Sequence, residues 1–185
     1  LPFEFSIDKS ENGDLQMLIL NGEEKLEIND IRFSQDSVYM TMHIFNTELQ
    51  AEVGDNSLQG CWVKKGYEEL YALPFKAVAG SESRFEKISG QSPTANISGK
   101  WEVDFLNEDG GIDKAIGIFE QSGEKLLGTF LTPTGDYRFL EGNVYGDSLL
   151  LSCFDGEHAF LFVAEIADDG STLKNGMFWS GKHWE

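Results

Sequence analysis

Two cysteines, three histidines and a pair of strand-borne glutamates are the residues whose types could carry chemistry. Cys61 and Cys153 lie 92 positions apart, each in a β-rich stretch and each beside an aromatic residue, Trp62 and Phe154. No CxxC occurs, so the usual motif for dithiol exchange is absent. In an oxidising compartment the two could pair, but burial as small hydrophobes is the favoured reading. His43, His158 and His183 show neither i, i+4 nor HxH spacing. A site built from His158, His183 and Glu157 or Asp155 is geometrically conceivable, yet nothing in the spacing specifies it, and no metal and no cofactor is expected.

Glu52 and Glu165 each sit in a strand-like run between apolar neighbours. Two carboxylates brought face to face would suit glycoside hydrolysis or general acid–base work. Strand alternation points the other way, since it turns polar residues to solvent, and no catalytic residue is assigned. No GxSxG, P-loop or GxGxxG unit occurs in a strand–turn–helix setting, which removes support for hydrolase, NTPase and dinucleotide-binding readings. The large aromatics Trp62, Trp101, Trp179 and Trp184, with Phe154, Phe160 and Phe178, could line a pocket or a carbohydrate platform, although such residues in sheets are more often core. The candidate ligand-binding residues are Met40, Met42, Phe160, Phe162 and Trp179.

The elements that must position these side chains are strands. The chain has 185 residues with 20 Gly against 4 Pro, a composition that favours many tight turns. Its formal charge of −18 repels phosphate backbones and anionic lipid surfaces, so nucleic acid is not an expected partner. No run of 18 apolar residues occurs, and no membrane span is expected. The chain begins at Leu1 rather than Met and ends in the apolar-rich GMFWSGKHWE, which suggests a processed or trimmed product that continues past Glu185.

Helical periodicity is nearly absent. The best helical stretch, GYEELYALPFKAVAG, is interrupted by Pro74. Strands are expected near 3–7, 14–20, 25–33, 37–45, 48–54, 57–64, 71–79, 98–106, 113–120, 124–132, 135–141, 143–154, 158–167 and 173–180. Turns such as Asn21-Gly22, Thr134-Gly135, Asp155-Gly156 and Asp169-Gly170 bound them. Short sequential strands with tight turns pair antiparallel. The polar segment Ser81 to Ser98, with Gly90 and Pro93, reads as one long loop and a hinge.

An internal repeat is expected on either side of that loop. Asp36-Ser37 aligns with Asp147-Ser148, Ala51-Glu52 with Ala164-Glu165, Gly60 with Gly176, and upstream Asn21-Gly22 with Thr134-Gly135. Two five-stranded copies, 14–66 and 124–182, follow. Either copy alone would leave open edges and one greasy face, so the expected fold is all-β: a single domain over 1–185 in which the antiparallel meander closes into one lipocalin-like β-barrel. Val38, Met40, Met42 and Ile44, and Phe160, Phe162, Ala164 and Ile166, would face its common interior.

The run from AIGIFEQSGEKLLGTFLTPTGDYRFLEGNVYGDSLLLSCFDGEHAFLFVAEI to GMFWSGKHW, with LPFEF, LPFKAVAG and GKWEVDF before it, resembles the N-terminal region of bacterial exported thioredoxin-like proteins of the TlpA/ResA type (redoxin, AhpC/TSA). The resemblance covers Leu1 to Trp184 and is most specific from Gly128 onward. In that family the region precedes a thioredoxin domain with a WCPNC-type site. This chain stops before any such domain, and neither Cys61 nor Cys153 matches the motif. The resemblance implies a non-catalytic accessory domain of an exported protein in the periplasm or cell envelope, with a lipid anchor as one option, whose partners would be the downstream thioredoxin domain, a client protein or a small apolar ligand. The alternative is a lipocalin-like barrel that binds a small apolar or sugar ligand.

Overall fold

The computed structural model describes residues 1–66, 69, 71–80, 83–86, 92–107 and 109–184, with only the backbone of Trp184. In chain order the strands are β1 (Glu4–Lys9), β2 (Leu15–Asn21), β3 (Glu24–Ile28), β4 (Asp30–Ser34), β5 (Ser37–Met42), β6 (Thr47–Val53), β7 (Ser57–Lys64) and β8 (Tyr71–Val78). They continue as β9 (Gly99–Leu106), β10 (Ile112–Ser122), β11 (Lys125–Thr132), β12 (Gly135–Asp136), β13 (Leu140–Tyr145), β14 (Ser148–Phe154), β15 (Ala159–Ile166), β16 (Leu173–Ser180) and β17 (His183–Trp184). Among the described residues the one helical element is a 3₁₀ turn, His43–Phe45.

Every ladder is antiparallel, as short connections require. The strands form three sheets. β1-β2-β3 is the first, β4 to β8 the second, and the third runs β17-β16-β15-β14-β13-β11-β10-β9 with β12 attached to β11. The third is an open path, curled into a half-barrel, whose end strands do not pair with each other. Pro74, which has no N–H to give a ladder, sits on β8, an edge strand.

The expected common interior gives way to two cores. One contains Ile97, Phe119, Phe130, Leu149, Leu151, Cys153, Phe160, Phe162 and Phe178. The other contains Met17, Ile19, Val38, Met40, Met42, Leu49, Trp62 and Phe75, and it takes in Phe154 and Ala159 from the C-terminal sheet. The reason is local: on β14 Leu149, Leu151 and Cys153 face one core while Phe154, on the opposite face, enters the other, so one strand supplies both. Ile44, expected inside, is 91% exposed because the strand ends at Met42 and the chain turns there.

The repeat alignment meets matching geometry in its central hairpins. Ser37 pairs with Glu52 as Ser148 pairs with Glu165, and Val38 with Ala51 as Leu149 with Ala164. Beyond the ladder, Val53 N–H donates to the Asp36 carbonyl and Ile166 N–H to the Asp147 carbonyl. Gly60 opposes Ala51, whereas the register shift between Val163 and Glu165 breaks the corresponding pairing near Gly176. Thr134-Gly135 does not occupy the place of Asn21-Gly22. It leads into the two-residue bridge β12, and the turn that resembles the one at Gly22 (φ 59°) is at Gly123 (φ 61°) between β10 and β11.

The connection expected as a polar hinge over 81–98 is described at 83–86 and 92–98; residues 81–82 and 87–91 lie outside the described residues. Its described part is not solvated throughout, because Arg84, Phe85 and Ile97 are buried.

Candidate functional site

A groove of about 1200 Å³ has a wall that includes residues from both β1 and β8. Each of these strands is the edge of its own sheet, β1 paired only with β2 and β8 only with β7. Alternation turns Phe3, Phe5, Leu73 and Phe75 toward the second core, and their rings lie close, Phe3 to Phe75 at 6.0 Å and Phe5 to Phe75 at 6.2 Å. Leu161 and Trp179, from β15 and β16, complete the wall from the C-terminal sheet.

Trp62 stands in this wall on β7 and is 4% exposed. Its ring meets Phe154 edge-on at 5.3 Å and Tyr71 at 5.9 Å, and the Lys64 ammonium lies 5.2 Å from its centre. The indole Nε1 has no hydrogen-bond partner among the described residues. Such a buried orphan is uncommon, because losing water without gaining a partner costs about 1–3 kcal/mol.

Arg84 also lines the groove and is 7% exposed. Its Nη2 donates to the Leu20 carbonyl at 2.5 Å and to Glu141 Oε2 at 3.2 Å, and its Nη1 to Ser152 Oγ at 3.3 Å. The remaining Nε is a second buried donor without a partner among the described residues. Burial draws the guanidinium pKa down against the pull of Glu141. Burial likewise pushes Glu141 up, but Lys125, the Gly22 N–H and Arg84 outweigh it and hold the carboxyl below its ordinary value. Arg84 therefore ties β2, β13 and β14 together, and Ser152 in turn donates to the Pro2 carbonyl at 2.7 Å.

The five candidate ligand residues are not brought together. Met40 and Met42 pack in one core and Phe160 and Phe162 in the other, while Trp179 alone lines the groove. Arg84 had no periodic signal to mark it. Trp62 stood out as an aromatic, but nothing in sequence shows that its N–H is orphaned.

The remaining reactive types are accounted for individually. Both cysteines are free thiols, Cys61 half-buried and Cys153 buried. Burial, with Asp155 and Glu24 nearby, pushes the Cys153 thiol up to about 12, so it is no nucleophile at neutral pH. His43 lies 2.7 Å from Asp30. His158 lies 3.2 Å from Asp155 and stacks on Phe160. Among the described residues no cluster of three His, Cys, Asp or Glu is arranged to hold a metal. Glu52 is exposed on the second sheet; Glu165 is on the third, bound to Asn175, and neither lines the groove. Among the described residues no helix is long and apolar enough to cross a membrane. No protein-family model matches the chain, and no curated protein and no solved structure matches it.

Proposed function

We propose that this chain is a non-catalytic accessory β-domain that positions a ligand or client for a thioredoxin-like redox domain following it in an exported protein of the periplasm or cell envelope. The observation that carries this reading is the groove: a large cavity walled by aromatic and aliphatic side chains, with neither cysteine in its lining. Cavities with apolar walls and a few polar groups are where proteins hold small ligands. The matching registers of the β5–β6 and β14–β15 hairpins support construction from two related meanders, 14–66 and 124–182. A second reading, a stand-alone lipocalin-like binder of a small apolar or sugar ligand, draws on the same cavity, whose volume exceeds the common range for small-molecule sites.

Insulin reduction by dithiothreitol, followed by turbidity, tests the non-catalytic claim. The chain is expected to leave the background rate unchanged. An acceleration that disappears in Cys61→Ser or Cys153→Ala would place dithiol chemistry here and overturn it.

A further inference from the structure

We propose that the groove between β1 and β8 takes an uncharged, largely apolar ligand that presents an acceptor oxygen, of the ketone, ester or quinone class, to the indole N–H of Trp62 and the Nε–H of Arg84. This deepens the reading of the chain as a holding module and rests on it. Four buried side-chain polar atoms lack a partner among the described residues, and two of them, Trp62 Nε1 and Arg84 Nε, belong to residues in this one wall. Both are donors only, so the complementary group must be an acceptor. The rest of the wall, with Phe3, Leu73, Phe75 and Leu161, calls for an apolar body.

Charge selects among acceptors. The Arg84 cation is already answered by Glu141 at 3.2 Å, Glu4 also borders the groove, and the chain as a whole carries −18. At the buried end a carboxylate or phosphate head would meet a cation already paired, while the exposed Lys76 of the wall is balanced by Glu4 and Asp55, which line the same groove, and the net charge of the chain opposes an anion's approach. A cation or a hydroxyl-rich sugar would bring donors to a place that already has too many.

The probe is Nile red, an uncharged dye that carries acceptors and no donor group, titrated by fluorescence into the full chain, with methyl decanoate, decanoate and decane as competitors. Saturable one-to-one binding is expected. Methyl decanoate should displace the dye about tenfold better than decane, the equivalent of one hydrogen bond of about 1.4 kcal/mol, and better than decanoate. Trp62→Phe should erase the preference of ester over hydrocarbon while the dye still binds, and Ala77→Trp, which fills the groove, should abolish binding. Because Trp62 is also a core residue, the unmutated chain supplies a separate readout: its Trp62 indole proton should move downfield when methyl decanoate is added. Equal displacement by decane, a stronger decanoate, or an unmoved indole proton overturns the ligand class. Dye binding that survives Ala77→Trp overturns the site. None of these results touches the insulin assay, so failure here is distinguishable from failure of the accessory role.

Discussion

Cys153 and Phe154 are neighbours on β14 and lie in different cores, the thiol among the phenylalanines of the C-terminal sheet and the ring against Trp62 and Phe3 of the N-terminal half. That alternation makes one strand the shared wall of two interiors. It also explains why the groove is lined from both halves of the chain.

The wall is pinned by Asn21. Its amide donates to the Phe154 carbonyl at 2.9 Å and accepts from the Phe154 N–H at 3.3 Å, fully buried. Asn21→Ala strands both backbone groups, and urea unfolding should show a loss of about 2–3 kcal/mol. A loss under about 0.5 kcal/mol would mean that the halves do not depend on this clamp.

Glycine at position 60 is required by packing. A Cβ there would run into the Gln50 carbonyl oxygen and lie 2.7 Å from the Ala51 Cα, both on the adjacent strand β6. Gly60→Ala should cost about 2–4 kcal/mol in chemical denaturation, or prevent folding. Gly176→Ala, where a Cβ meets nothing within 4 Å, is the control and should change stability by no more than about 0.5 kcal/mol.

The alternation along β14 was legible in part. SLLLSCF is largely apolar, with Leu149, Leu151 and Cys153 on one face and Leu150 and Phe154 beside Ser148 and Ser152 on the other, close to the pattern of a strand buried on both faces, yet it reads equally as the inner face of a single barrel. The stripe Phe160, Phe162, Ala164 and Ile166 does face one interior. The turn at Gly146-Asp147, inside the expected strand 143–154, was hidden because apolar residues flank it closely; the splitting of 25–33 at Asn29 was hidden in the same way. Asn21 read only as a turn residue beside Gly22. Arg84 stood in a polar segment, and its burial depends on β2, β13 and β14 meeting it, which no local pattern encodes.

Acid should destabilise the fold. Burial pushes Asp155 up, but hydrogen bonds from the His158 side chain and the His158 and Glu157 N–H groups outweigh it, leaving its pKa below the ordinary carboxylate value, as for Glu141. A lowered folded-state pKa means that the unfolded chain binds protons first. The stabilisation is therefore complete above the unfolded value of about 4 and is lost as pH falls toward the folded values. Urea midpoints measured from pH 7 to pH 3 should fall below about pH 4.5, and less steeply in Asp155→Asn. A profile identical in the variant would remove Asp155 from the explanation.

Thiol labelling checks the cysteines. With its pKa raised to about 12 and its side chain in the core, Cys153 should resist a disulfide reagent at pH 8 in the folded protein and react promptly in denaturant. Two fast-reacting thiols in the native state would contradict its placement.

Nuclear Overhauser contacts from the side chains of Leu151 and Phe154 measure the shared wall most directly. Leu151 should show contacts to other members of the C-terminal core and none to Met40, while Phe154 should show them to Trp62 and Phe3. Cross-peaks joining Met40 to Phe162 would instead reveal one continuous interior and contradict the two-core structure on which the groove depends.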